Sequence, residues 1–418
     1  MGGPAAALVL ALLLLAYILN YLDRQILGIL AGPIIADLHL TDTQFGLLSG
    51  PPFALLYSAL GVPFAYLADR TSRSRVIAAA LAVWSAFTAL CGTAGSFWQL
   101  FFYRMGVGVG EAGGVAPSYA LLSDYFEPHR RARALAIFSL GVPIGLALGT
   151  FIGAYIAAAI SWRAAFMVMG TAGVLLSPVL LLVVRDRPRP ENGIGPQSIA
   201  EVFPKLARMP VFWLLALAAS SSSLCGYGLA VWIPSVIERS FHLGLVARGQ
   251  FLGSVVLIGG CTGVLAGGWL ADRFGRFDRG WYAKLPAIAW LITAPTFAAG
   301  MLAPNLWIAW PILLIPNALN ILWLGPVITA VQHLVPRQMR ATASACFLLI
   351  NNLIGLGIGP PLIGHLSDSL KRTYGADALR FAAVGCTLFY VLAAILVFFC
   401  APLLRRHWID DPAPGLPN

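Results

Sequence analysis

Charge is what this 418-residue chain has little of. Only 11% of its residues are Asp, Glu, Lys or Arg, while 59% are hydrophobic and the mean hydropathy is +0.81. Soluble domains carry about 25% charged residues, so a water-soluble fold is excluded and an integral membrane protein is expected. The six cysteines (Cys91, Cys225, Cys261, Cys346, Cys386, Cys400) fall singly in apolar segments. Without a CxxC pair or a Cys/His cluster, neither a metal site nor a disulfide framework has support. No convergent nucleophile, metal or cofactor set is present, which argues against an enzyme and for no cofactor. The first apolar run, Ala6–Ile35, is too long for a leader's hydrophobic region and lacks a basic flank and a cleavage site, so a leader peptide is not expected.

Long apolar runs, by contrast, are plentiful. About 20 apolar residues cross a bilayer as a helix, and twelve such runs can be drawn, near 6–35, 44–68, 76–95, 97–122, 134–160, 162–184, 211–237, 249–271, 282–303, 305–332, 341–366 and 378–404. The stretch Arg185–Pro210, with PRPENGIGP in it, parts them six and six. The expected organisation is an all-α membrane protein: a six-helix bundle over 1–184, a linker over 185–210, a second bundle over 211–404 and a tail over 405–418. Within the linker, Gln197–Arg208 reads as a short amphipathic helix at the surface.

The net charge of +10 carries topology. Of 27 Lys and Arg, 19 fall in the loops on the side of both termini and 6 in the opposite loops. Basic loops stay in the cytoplasm, so both termini and the linker are expected there, and nucleic acid is not an expected partner.

Four charges stand apart from the loops. Asp23 and Arg24 lie inside the first run, and Arg104 and Glu111 inside the fourth. Charge within a membrane helix is costly and marks an ion or substrate path. Arg104 and Glu111 are seven residues apart, roughly 10 Å along one helix face. Counted from their outer ends, both pairs reach similar depths, so an Asp23/Glu111/Arg24/Arg104 cluster is expected. Burial and a neighbouring cation pull a carboxyl's proton affinity in opposite directions, which suits Asp23 and Glu111 to proton coupling. Arg24 and Arg104 would tune them or meet an anionic headgroup. A static ion-pair lock is the plainer alternative.

The glycines favour packing. Gly108–Gly113 spells GVGEAG, a GxGxxG match, but it lies within a span and lacks the preceding strand of a dinucleotide site. Gly106, Gly110 and Gly114, like Gly141, Gly145, Gly149 and Gly153, recur every four residues, the spacing that brings membrane helices together.

An internal repeat supports two related halves. Ala65–Arg75 reads AYLADRTSRSR and Gly268–Arg279 reads GWLADRFGRFDR, each after the second span of its half. Duplicated bundles around a central path are a transporter signature. The pair resembles motif A of the major facilitator superfamily; the second copy holds Gly268, Asp272, Arg273, Gly275 and Arg276, whereas the first has Ala65 and Ser72 where glycines are usual, so looser packing is expected there. Gly141–Gly153 partly resembles the glycine-rich motif C of antiporters. Asn20–Arg24 (NYLDR), Leu67–Arg70, Arg104–Ala112 (RMGVGVGEA) and Asp124–Phe126 resemble the spinster family of lipid transporters within that superfamily.

These resemblances imply a twelve-helix major facilitator fold working by alternating access. They imply a cytoplasmic gate from Asp69, Arg70, Arg73, Asp272, Arg273 and Arg276. The first, fourth, seventh and tenth spans then line the cavity, with Tyr17, Asn20, Tyr21, Ser118, Tyr119, Ser220, Ser223, Tyr227, Trp232, Asn317, Asn320 and Trp323 as candidate substrate contacts. With charge confined to the N-terminal half, the expected ligand is amphipathic, a lysophospholipid or sphingoid-type lipid moved with protons. A soluble organic anion or drug-like compound is the alternative, and a receptor or membrane enzyme the different class. A monomer in a bacterial inner membrane is the expected setting.

Overall fold

The computed structural model describes residues 4–186, 199–275 and 278–409. These fold into twelve membrane-crossing helical rods. The first six are α1 (Pro4–Ile29), α2 (Asp42–Arg70), α3 (Arg73–Cys91), α4 (residues 97–125), α5 (residues 128–159) and α6 (Trp162–Val183). The second six are α7 (Pro210–Phe241), α8 (Leu245–Gly275), α9 (Trp281–Met301), α10 (Leu306–Gln332), α11 (Arg340–Tyr374) and α12 (residues 378–407). A helix satisfies every backbone group internally, which an apolar bilayer demands.

Several runs that read as continuous are broken, each with a local cause. The first ends at Ile29, and a separate short helix, Ala31–Asp37, follows it. Rod α2 is interrupted at Gly50, whose backbone (φ −111°, ψ −86°) precedes the Pro51–Pro52 pair. In α4 the interruption falls at Gly113 and Gly114. Where rods meet water, Thr41, Ser72, Ser96, Ser161 and Asn305 cap them by accepting a backbone N–H three residues on. Rods α7, α8 and α11 outrun their apolar windows because their polar ends continue as helix beyond the hydrocarbon. The amphipathic helix of the linker is present over Ile199–Ala207.

With twelve passes, both termini emerge at one end of the bundle, here called the terminal face. The bundles meet along three seams, α1 on α7, α2 on α11, and α5 on α8. Close approach explains several glycines: a Cβ on Gly46 would sit 2.6 Å from the Pro360 carbonyl oxygen, and one on Gly364 2.3 Å from that of Asp42. On the α5–α8 seam, Gly249 faces Ala154, Gly253 the Phe151 ring and Gly260 Pro143. The glycines of α5 itself are used inside the first bundle: Gly141, Gly145 and Gly149 lie on Tyr17, Ile18 and Leu22 of α1.

The far face is bolted shut. Asp42, 1% exposed at the start of α2, accepts both guanidinium nitrogens of Arg239 on α7, Nη1 at 2.6 Å and Nη2 at 2.7 Å. Ser367 of α11 donates to the same carboxylate at 2.7 Å. One residue on, the Thr43 N–H (2.7 Å) and hydroxyl (2.6 Å) both donate to Asp368 of α11. Beneath them the Phe45 ring meets Trp232 edge-on at 5.4 Å. These bonds and ion pairs join the two bundles in the far half of the molecule.

Candidate transport site

The four membrane charges come together: Glu111 lies within electrostatic reach of both arginines and of Asp23, and Asp23 within reach of Arg104. Asp23 and Arg24 are consecutive, so on a helix they point about 100° apart. Arg24 turns to α4, where its Nε donates to Glu111 Oε2 at 2.7 Å. Asp23 turns to α3 and accepts the Thr88 hydroxyl at 3.0 Å. Among the described residues no ion pair joins Asp23 to a cation. Arg104, 3% exposed, lies over the Phe53 ring at 5.3 Å. Arg24 lies over the same ring at 4.9 Å and over Tyr21 and Tyr57 at 5.0 and 4.6 Å. Phe53 of α2 is thus an aromatic spacer shared by two guanidinium groups, and cation–π contact helps hold both in a dry setting. The glycines of α4 make this geometry: a Cβ on Gly108 would meet the Phe53 carbonyl at 2.8 Å, and one on Gly110 the Trp84 nitrogen at 2.4 Å. Packing is therefore what the GVGEAG stretch does.

The pair is incompletely satisfied. Glu111 is wholly buried, yet its Oε1 has no hydrogen-bond partner, and neither has Arg24 Nη2 or Arg104 Nε. Asn20, 2% exposed and one turn before Arg24, has both amide atoms unpartnered. Buried polar groups are nearly always hydrogen-bonded, so this concentration of spare donors and acceptors is what a polar ligand or a mobile proton would use. Arg24 is the least enclosed member, with 13% of its side chain exposed.

Tyr21 stands T-shaped to Tyr17 at 5.1 Å, and Tyr17 stacks on Phe138 of α5 at 4.4 Å. Tyr17, Asn20 and Ser118 together wall a small internal cavity with Trp84. The Tyr119 hydroxyl pairs with Ser139 at 3.2 Å. From the second bundle, Tyr227 lies within electrostatic reach of Arg24, and Ser223 donates to Asn351 at 2.8 Å. Ser220 is buried with its hydroxyl unpartnered. Four candidates sit elsewhere. Trp232 donates to the Pro360 carbonyl at 2.8 Å within the far-face plug, and Asn317 bonds its own helix at Leu313. Asn320 accepts Tyr390 of α12 at 2.8 Å, and Trp323 packs on Trp290 of α9.

At the terminal face Arg73 bonds Asp69 at 2.6 Å and Asp124 at 2.5 Å, tying α2, α3 and α4. Arg70 lies over Tyr66 at 4.2 Å. Arg273 is exposed at the end of α8, while Arg276 and the Asp272 side chain lie outside the described residues. Past α8, Arg405 and the Gly280 N–H hold the Asp278 carboxyl well below the usual carboxylate range. The far-face set of Asp42, Thr43, Arg239, Ser367 and Asp368 was not legible in the sequence: Asp42 reads as a helix-start acid and Arg239 as a loop cation. Only the reciprocal placement of charge at the ends of α2, α7 and α11 hints at it.

Known proteins agree with this architecture. An MFS-type efflux pump of Mycolicibacterium smegmatis is 32% identical over 98% of this chain and 96% of its own. Mouse protein spinster homolog 1 is 28% identical over 91% and 78%, and the hexuronate transporter of Bacillus subtilis 27% over 95% of both. A crystal structure of a bacterial homolog to the human lysosomal transporter spinster, inward-facing and unoccupied, superposes with a TM-score of 0.87 at 28% identity, covering 99% of this chain and 100% of that one. The family model of the Major Facilitator Superfamily matches residues 13–360. Taken with the twelve-helix fold, that match shows that this chain belongs to the Major Facilitator Superfamily, as a transporter with a spinster-like fold.

Proposed function

We propose that the protein is a proton-coupled transporter of an amphipathic lipid of lysophospholipid or sphingoid type, working by alternating access. The observation that carries this reading is the Arg24–Glu111 pair, buried beside Asn20 and ringed by Tyr21, Phe53 and Tyr57. An anionic headgroup that reaches Arg24 competes with Glu111 for the guanidinium. Once displaced, a buried carboxylate without its cation is costly and takes up a proton. Substrate and proton are thereby coupled at one residue. Asp23, held by Thr88, is the second proton site, and Arg104 the second headgroup cation. Aromatic rings on one side and Ser223, Tyr227 and Asn351 on the other suit a ligand that is part polar and part apolar. The excess of Lys and Arg supports placing the terminal face in the cytoplasm of a bacterial inner membrane.

A second reading, transport of a soluble organic anion or a drug-like compound, is favoured by the hexuronate transporter and efflux pump among the relatives, since two arginines receive a carboxylate equally well. Thermal stabilisation of the purified protein by a lysophospholipid, a phosphorylated sphingoid base, glucuronate and a cationic dye separates the readings. Saturable stabilisation by the lipids alone supports the first; a response to glucuronate or dye alone replaces it with the second. For coupling, E111Q and D23N are reconstituted in liposomes: loss of pH-driven uptake with exchange retained supports the assignment. Normal stability with unaltered proton dependence in both variants overturns it.

A further inference from the structure

Pro63 lies inside the helix of rod α2, where it removes an i→i−4 hydrogen bond, two residues after Gly61, whose Cβ position would meet nothing within 4 Å. The terminal half of α2 leaves an apolar cleft of about 300 Å³ against α3 and α4. Phe64 and Leu67 form one wall, Val76, Ala79 and Val83 a second, and Val109 the back. Ala79 is exposed and Val83 is 38% exposed, so the cleft is open at the surface of α3. Arg75 is the lining residue that carries charge, and it is exposed. Among the described residues no carboxylate pairs with its guanidinium, and the same holds for Arg70 beside it, whose described contact is the Tyr66 ring.

We propose that this cleft is a binding site for an anionic phospholipid of the surrounding bilayer, one acyl chain lying between α2 and α3 and the phosphate at Arg75. Its volume is at the lower end of small-molecule sites, and an apolar lining with one convergent cation is their usual make-up. A basic side chain at the headgroup level, not neutralised by the protein, is the complement of an anionic lipid. Two of the lining residues, Leu67 and Arg75, belong to the repeat copy that has Ala65 and Ser72 in place of glycines. Lipid in the cleft fills what those helices leave unpacked.

The test uses the full-length protein in detergent, titrated with dioleoylphosphatidylglycerol or dioleoylphosphatidylcholine, with melting temperature and native mass spectrometry as readouts. The expected result is a saturable rise with phosphatidylglycerol, a weaker one with phosphatidylcholine, and adducts of matching mass. R75Q should respond equally to both lipids, because the chain still fits while the headgroup contact is gone. A79F and V83F place bulk on the open side of the cleft, where folding is spared, and should lose the adduct. Equal response to the two lipids in the unsubstituted protein, or adducts undiminished in both A79F and V83F, overturns the proposal.

Discussion

The far-face bolt makes a quantitative prediction. Asp42 belongs to the first bundle, while Arg239 and Ser367 belong to the second. Their contacts therefore exist only while that face is shut, and removing them weakens one conformation without touching the other. Replacing Asp42 by Asn keeps the volume but removes the charge that both guanidinium nitrogens meet. Hydrogen bonds to charged groups contribute about 1.5–3 kcal/mol net each. The Arg239 side chain is 25% exposed, so water recovers part of that, and the Thr43–Asp368 bonds remain; a loss of about 2 kcal/mol is a fair working value. Every 1.4 kcal/mol is tenfold in an equilibrium constant, so D42N should move the ratio of far-closed to far-open molecules about 30-fold toward open. Spin labels at Gly95 and Gly244, exposed loop positions on the two bundles at that face, report the ratio as a distance distribution. If D42N folds normally and its distribution matches the unsubstituted protein, the bolt contributes nothing to the switch and the reasoning fails.

Four further outcomes can be checked. D69N should release Arg73 from α2, shifting the population between states if the network gates the terminal side; identical label distances across the terminal face would leave it a helix tie only. G110A should destabilise by about 1–3 kcal/mol, as overpacking does, because its Cβ would sit 2.4 Å from the Trp84 nitrogen. G61A, with open space around it, should be neutral or gain up to about 1 kcal/mol, and the two melting temperatures decide. Arg405 and Gly280 depress the Asp278 carboxyl, so its contribution is present above about pH 4, the unfolded value, and lost as pH falls below it; D278N should therefore differ from the unsubstituted protein at neutral pH and converge with it in acid. Cysteine at Gly193 should resist an impermeant thiol reagent applied outside intact cells if the linker faces the cytoplasm.

Much of the fold was legible because the signals are one-dimensional. Apolar length marks the rods, the LADR repeat marks the halves, and four-residue glycine spacing marks helix contacts that Gly106, Gly110 and Gly145 indeed make against Phe87, Trp84 and Ile18. Asp23, Arg24, Arg104 and Glu111 announced themselves because charge in hydrocarbon is costly. What escaped is relational. Equal depth brings the two pairs together, but which partner each charge takes depends on helical phase, which sends Arg24 to Glu111 and Asp23 to Thr88. Phe53 and Tyr57 look like ordinary core aromatics until the fold brings two arginines to them. The breaks in α2 and α4 hide inside apolar runs because hydropathy does not register a backbone angle.

The α5–α8 seam differs in kind from the bolt above it. There Gly249, Gly253 and Gly260 present bare backbone to a methyl, a ring and a proline, and the contacts are van der Waals throughout. A surface of that sort behaves as a bearing. Sliding such a contact would exchange one set of dispersion contacts for another of similar depth. If the bundles rock against each other, the cost then falls on Asp42 and its partners at the far rim, where a few charged atoms join the two halves.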